Sequence, residues 1–487
     1  MLEKYAIVPF VAQAEVSPSK KECEPSELSH GDGGYTAVDY TKSKKECEPS
    51  ELSHQYAMNF FRFLEPLLRE LDVTVDKRPL RTLVQTVEAI VSFRDQTHGL
   101  LLSELGGYID GLGKGGGTKR LSTLIHHQEW KAKQIDEFLL QRADEPIAQW
   151  QAQGQDGLLI WDGTVLEKPE SLKAQGLCAV RSSKAARLTH VKKGYYHPPG
   201  APIFVPGLHG IGLLLAGRSD QQGPAMLAAL RWWTSRGPLA SYEKDENCKL
   251  LRLATQRWGQ TLIHVFDRGY CGSPWLGALR GFQARFILRW KTNYHLLDAQ
   301  GVKQAAWKIA RGKRGLAPRT LFDAVHRRNV EGSVLFFPVT HPDFPDWPLT
   351  LVVGRRKGGK PWYLLTNEVV NTAEDAWKVV LAYARRWQIE MAFRNLKSEM
   401  AIQSLRVYDW EPRLKLLALL TLAYAFLMDL MRKAGKTARD WLIDYACHRT
   451  GAHLRDVEIP FTRLRIALSK LWLAYPCCFV RRAALLL

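Results

Sequence analysis

Apolar residues recur at three- and four-residue spacing from about Tyr56 to Gln153. LRTLVQTVEAIVSF and KRLSTLIHHQEW show it best, and the spacing predicts amphipathic helices. The pattern changes near Leu158. LLIWDGTV, IFVPGLHGIGLLLAG, TLIHVFD and RFILRWK are short runs rich in Val, Ile, Leu and Phe, and they predict strands. A helix over Glu243–Trp258 separates the second of these from the third. FFPVTH and LTLVVGRRKGGKPWYLLTN add further β stretches, with Gly358-Gly359 as a hairpin turn. From about Ala373 the chain returns to long helices.

Helices, mixed α/β, a β-rich stretch and helices again give a provisional division. It runs 1–55, a polar tail; 56–153, helical and a candidate DNA-binding region; 154–291, first part of an α/β core; 292–370, β-rich insertion; 371–435, second part of the core; 436–487, helical. A length of 487 residues agrees with about three domains or sub-domains. The tail carries SKKECEPSELSH twice, at Ser19–His30 and Ser43–His54. Two copies are too few for a solenoid. The Pro, Ser and Glu content reads as a linker, with a duplicated docking motif as the alternative. In GLGKGGGTKR, Gly111, Gly113 and Gly116 satisfy G-x-G-x-x-G, but no strand precedes them, so a dinucleotide site is not expected. A small DNA-binding module opened by Lys119 and Arg120, or a turn between two core helices, both remain open.

Composition narrows the function. Apolar residues make up 46% and charged residues 24%, which excludes wholesale disorder. Lys plus Arg is 68 and Asp plus Glu is 49, so the net charge is 68 − 49 = +19 and a polyanion is the default partner. The strongest apolar run, Leu416 to Met428, is bounded by Lys415 and Asp429 and is too short to span a bilayer. It reads as a buried core helix, and no membrane association is expected. The start, MLEKYAIVPFVAQAE, lacks a basic region followed by a long apolar one, so secretion is not expected. Eight cysteines without a Cys-x-x-Cys or a Cys/His quartet argue against zinc and fit a reducing cytoplasm.

Three acidic residues stand in informative places. Asp162 closes the run LLIW and Asp267 closes TLIHVF, so both read as carboxylates at strand tips, where α/β sheets keep ligands. Glu390 lies in YARRWQIEMAFRNLKSE. At 100° per residue, Tyr383, Arg386, Arg394 and Lys397 fall within about 40° of Glu390, a polar stripe about 80° wide on one helix. Arg386–Glu390–Arg394 could be an ordinary surface ladder of i,i+4 pairs. The apolar residues around it, Trp387, Ile389, Met391, Phe393 and Leu396, argue against a freely solvated helix. A lone carboxylate among cations suits a metal ligand beside a phosphate backbone.

Tyr383, Arg386, Glu390 and Lys397 form Y-x2-R-x3-E-x6-K, which resembles the hallmark of DDE transposases of the insertion-sequence-4 group, relatives of the transposon 5 and transposon 10 enzymes. WDGTVLEK around Asp162 resembles the first catalytic strand of that group, and FDRGY from Asp267 the second. The likeness is good over about Leu158–Leu430. It implies a ribonuclease H-like α/β catalytic core interrupted by a β-rich insertion, with an N-terminal helical DNA-binding region and a C-terminal helical region.

The resemblance also implies roles. Asp162, Asp267 and Glu390 would be catalytic and would hold two Mg²⁺ ions, or Mn²⁺ in their place. Tyr383, Arg386 and Lys397 would grip the phosphate of the DNA end. Trp362, twenty-one residues before Tyr383, would stack on a flipped base, with a core role in a hairpin as the alternative. Arg394, Arg289 and Lys291 are further DNA-contact candidates, though a solvated strand face explains Arg289 and Lys291 equally well. The partners would be double-stranded DNA, both transposon ends and target, and a second copy on paired ends. The place would be the bacterial cytoplasm. The reaction would be Mg-dependent cutting and joining of element ends through a hairpin. A nuclease on the same fold without strand transfer, and a transposase remnant that binds but no longer cuts, are the rival readings.

Overall fold

The computed structural model describes residues 10–11, 48–92, 99–110, 115–171, 173–182, 203–219, 222, 224–323, 328–431, 442 and 461–476. In chain order its elements begin with β1 (Phe10–Val11) and five helices: α1 (Pro49–Asp72), α2 (Lys77–Ser92), α3 (Leu102–Asp110), α4 (Gly116–His126) and α5 (Ala132–Ala152). Then come β2 (Gly157–Glu167), β3 (Cys178–Arg181), β4 (Phe204–Gly217), β5 (Met226–Trp233), α6 (Glu243–Trp258), β6 (Leu262–Phe266), α7 (Ser273–Gly281) and β7 (Arg285–Arg289). The β-rich stretch is β8 (His295–Leu297), β9 (Lys303–Ala305), a short α8 (Ala306–Ile309), β10 (Leu316–Asp323), β11 (Arg328–His341), β12 (Phe344–Arg356) and β13 (Trp362–Thr366). The chain closes with α9 (Ala373–Ala384), α10 (Trp387–Ser398), α11 (Trp410–Asp429) and α12 (Phe461–Ala474).

One large mixed sheet with helices packed on it is the core. Its order is β1-β10-β11-β12-β13-β7-β6-β2-β4-β3, with β5 also on β4. β4 is antiparallel to both β5 and β2, whereas β2–β6 and β6–β7 are parallel. The strands expected as an insertion add to the β7 edge through β13, so sheet hydrogen bonding runs on into them without interruption. The even-numbered side chains of β2, Leu158 and Ile160, pack with Ile389, Phe393 and the terminal helices. The odd ones, Leu159 and Trp161, pack with α6 and α7. That alternation is the two-residue period of a strand buried on both faces.

The N-terminal helices begin earlier than expected. α1 starts at Pro49 and takes in the second half of the second SKKECEPSELSH copy, Pro49–His54. Pro49 suits the first helical position, and Leu52, Tyr56, Phe60, Leu64, Leu67 and Leu71 continue one buried stripe. Ser53 Oγ donates to the Tyr475 carbonyl at 2.7 Å, tying this copy to the end of α12. The first copy, Ser19–His30, lies outside the described residues, as does 111–114 of the glycine-rich segment. Gly116 opens α4. Gly106 and Gly117 let α3 and α4 touch, since a Cβ at Gly117 would meet the Gly106 carbonyl at 1.9 Å. Arg120 is committed inward, paired with Asp110 at 2.9 Å and bonded to Gln85 at 2.5 Å. α11 is buried along most of its length, as read from its apolar run. No helix among the described residues is long and apolar enough to cross a membrane.

Candidate active site

Asp162 and Asp267 come from neighbouring parallel strands. The ladder pairs Gly157 with Leu262 and continues to Ile160 with Val265. Two residues further on, the same offset sets Asp162 beside Asp267. Asp267 follows the last residue of β6, as expected. Asp162 differs from expectation: it lies inside β2, because the antiparallel β4 keeps pairing through Glu167 after β6 has stopped. Its carboxylate therefore sits where β2 loses its parallel neighbour but keeps its antiparallel one. That is a change of strand direction, the place where open sheets form ligand crevices.

Gly212 explains how Glu390 arrives. It is the cross-strand partner of Asp162 on β4. A Cβ there would meet the Phe393 ring at 2.8 Å. The missing side chain lets α10 lie down on the sheet beside Asp162, and Glu390 is one turn away from Phe393 on that helix. This glycine was not legible as a site residue, since only the strand pairing reveals it.

The stripe from Tyr383 to Lys397 is not one helix. Tyr383 lies in the last turn of α9, and Arg386 caps the start of α10. Between them the backbone bonds shorten to i→i+3: Arg385 N to Ala382 O, Arg386 N to Tyr383 O, and Ile389 N to Arg386 O. Such tightening turns the chain without ending its helical sense. The ladder is also shorter than expected. Arg386 pairs with Glu390, but Arg394 is exposed and forms no ion pair among the described residues. Lys397 lies half-buried in the last turn of α10.

Arg386 is the hub. Its guanidinium donates to the Glu390 carboxylate and lies 3.5 Å from Asp162 Oδ2. It also sits 5.9 Å from the Tyr383 ring. Burial pushes the Asp162 carboxyl up to about 7. The Arg386 charge opposes the rise, and the Asp267 and Glu390 charges add to it. The Asp267 carboxylate accepts from Gly269 N at 2.6 Å and caps a short turn. Tyr270, in that turn, has its hydroxyl pushed well above its usual range by burial and by Asp162 and Asp267. It is a neighbour of the carboxylates that sequence reading quoted within FDRGY without giving it a role.

Among the described residues, no group of three or more His, Cys, Asp or Glu could hold a metal ion as the side chains stand. The donor chemistry nonetheless fits a hard divalent cation. All three side chains offer oxygen, Asp162 is held in a place that disfavours its own charge, and a cationic group already bridges two of them.

Trp362 opens β13 and packs edge-on against Tyr383, with ring centroids 5.1 Å apart. It is 6% exposed and belongs to the buried cluster under α9, so its ring does not face an open channel here. Tyr383 is buried too, and burial raises its hydroxyl while the Arg386 and Arg289 charges pull it down. Lys291, just past β7, donates to the Tyr294 hydroxyl at 3.0 Å. Trp362, Tyr383, Arg386, Asp162 and Glu390 thus form one connected chain of contacts, with Arg289 beside Tyr383.

Comparison with known proteins finds similarity to transposases. Residues 246–426 match the family model described as "Transposase DDE domain". The chain is 30% identical over 248 residues to "Putative transposase y4zB" of Sinorhizobium fredii, covering 44% of this chain and 64% of that relative. The chain therefore spans just under two thirds of the relative's length. A solved structure, a piggyBac transposase synaptic complex with hairpin DNA, aligns over 90% of this chain and 82% of its own at 11% identity, with a TM-score of 0.40.

Proposed function

We propose that the chain is a DNA transposase that cuts and joins the ends of its own element, with Asp162, Asp267 and Glu390 as the catalytic carboxylates. The observation that carries the proposal is the single Arg386 guanidinium shared by Asp162 and Glu390, beside a strand pair whose offset brings Asp267 alongside. Three antiparallel strands followed by two parallel ones, with the acids where direction changes, support a ribonuclease H-like core. The Tyr383, Arg386, Glu390 and Lys397 spacing supports the insertion-sequence-4 group within the DDE transposases.

The three carboxylates would hold two Mg²⁺ ions, or Mn²⁺. When bound, such a pair activates the attacking water or 3′-hydroxyl and steadies the leaving oxygen. Arg386, freed from the carboxylates, and Lys397 would hold the phosphate in line, which is where most of the catalysis in phosphoryl transfer arises. Tyr383 and Trp362 would steady the DNA end, with Trp362 stacking on an unpaired base once its ring is uncovered. Two copies would act together on paired ends.

The deciding experiment incubates the protein and Mg²⁺ with DNA carrying the element's own ends. Nicked, hairpin and joined products are expected. Nicks without any joined product would leave the nuclease reading in its place.

A further inference from the structure

The stretch from β9 to the loop after α8 plays no part in the site above. It reads KQAAWKIARGKR, Lys303 to Arg314. Helical periodicity sorts it cleanly: Ala305, Ala306, Ile309 and Ala310 are buried, while Trp307, Lys308 and Arg311 are outside. Lys303, Lys313 and Arg314 are exposed as well. No Asp or Glu occurs between Asp298 and Asp323, and none of these five cations forms an ion pair among the described residues. At their centre Trp307 is 37% exposed, a large apolar surface left in water. Lys308 Nζ and Arg311 Cζ stand 5.8 and 5.7 Å from its ring centroid.

The patch is held rigidly. Arg355 on β12 donates to the carbonyls of Lys313 at 2.7 Å and Ala310 at 2.8 Å, closing the end of α8. It is also continuous with the candidate site. Trp307 N and Ala306 N donate to the carbonyls of Thr292 and Tyr294, in the loop where Lys291 meets the Tyr294 hydroxyl.

We propose that this patch is a second DNA contact, one that grips the backbone of duplex DNA beyond the reacting phosphate, with Trp307 packed against the sugar-phosphate edge. Unneutralised cations on a rigid support around an exposed aromatic ring match a polyanion that also offers apolar sugar surface. The inference rests on the chain being a DNA-acting protein. It does not rest on strand transfer.

The test measures affinity for a random-sequence duplex across a salt series. It compares the wild type with a variant carrying Lys308→Ala, Arg311→Ala, Lys313→Ala and Arg314→Ala. The four-fold variant should keep its melting temperature and lose about 3 to 4 units of log–log salt slope, at about 0.9 per phosphate contact. Trp307→Ala should weaken binding more than Trp307→Phe. The pair Lys313→Ala and Arg314→Ala, in the loop alone, should lose about half as much slope and serves if the four-fold variant fails to fold. Wild-type binding with an unchanged slope in both charge variants overturns the inference and leaves the proposed function standing. No duplex binding by the wild type overturns both. Binding of single-stranded RNA in preference to duplex, lost in the same variants, assigns the patch to RNA and likewise overturns the inference.

Discussion

Asp162 and Asp267 stand 105 residues apart, and 105 is also the offset that pairs β2 with β6 at every rung from Gly157–Leu262 to Ile160–Val265. The two acids are the next same-face rung of a ladder whose hydrogen bonds have already ended. A one-residue slip of either strand would send one carboxylate to the opposite face. The spacing between the acids is thus a register and not only a distance along the chain.

Asp162 predicts a pH dependence. Its folded pKa, about 7, lies above its ordinary 3.8, so the folded chain binds more protons than the unfolded one between these values. Stability from this group is therefore greatest below about pH 4 and is lost as pH rises through 7, by on the order of a few kcal/mol. Asp162→Asn should raise the melting temperature of the metal-free protein at pH 8 and leave it little changed at pH 4. The variant should also lose the rise in melting temperature on adding Mg²⁺, and in the wild type that rise should shrink below pH 7 as protons compete. An Asp162→Asn melting temperature equal to wild type at pH 8 would speak against a buried, charge-stressed carboxylate.

Glu390→Gln keeps the shape of the side chain and removes its charge. Strand cleavage should fall by at least about a hundredfold, a loss of roughly 3 kcal/mol of transition-state stabilisation, while affinity for a DNA end stays within about twofold. Gel-shift and cleavage assays on one preparation separate the two. Cleavage retained with binding lost would reverse the role given to Glu390.

Gly212→Ala tests how α10 is seated. The new methyl group must displace the Phe393 ring or lift the helix, and overpacking of this kind costs about 1–3 kcal/mol. Cleavage should fall although no acid has changed. Phe393→Leu should restore part of both losses in the double variant, because it reopens the space. Additive losses would mean that the two residues do not meet.

Trp362→Ala now carries two expectations. The ring is buried, so truncation should lower stability by about 3–5 kcal/mol. Stacking on a flipped base would add a selective loss of hairpin over first nick. Trp362→Phe retains much of the packing and most of a stacking surface, so it should recover stability and hairpin formation together. If hairpin and nick fall equally in Trp362→Ala at a temperature where the variant is folded, the ring serves packing alone.

Much of the core was legible in advance because its strands are nearly continuous apolar runs. β2, β4, β6 and β7 fall where LLIWDGTV, IFVPGLHGIGLLLAG, TLIHVFD and RFILRWK predict, and α6 matches Glu243–Trp258. β5, MLAALRWW, escaped notice because it is rich in Ala and Leu, which read equally well as helix. The end of the second duplicated segment, Pro49–His54, is helical where composition reads as tail, because composition outweighed the stripe of Leu52, Tyr56 and Phe60. The helical wheel over Tyr383–Lys397 assumed one unbroken axis, and no residue there signals the i→i+3 joint. For Trp362 a core role was one of two open readings, and pattern alone could not choose, since its burial depends on Tyr383 of α9 packing against it, a contact between elements that pattern does not order.

That joint has a mechanical meaning. α9 rests on the far half of the sheet, where Gly332 and Gly354 leave room for Trp377 and Val380. α10 rests instead on β2 and β4, on the seat that Gly212 leaves open. A tug on Tyr383 would load β11 and β12 first, and the perch of Glu390 would feel it only through the short stretch between the two helices. Tyr383 and Glu390 thus stand on separate footings.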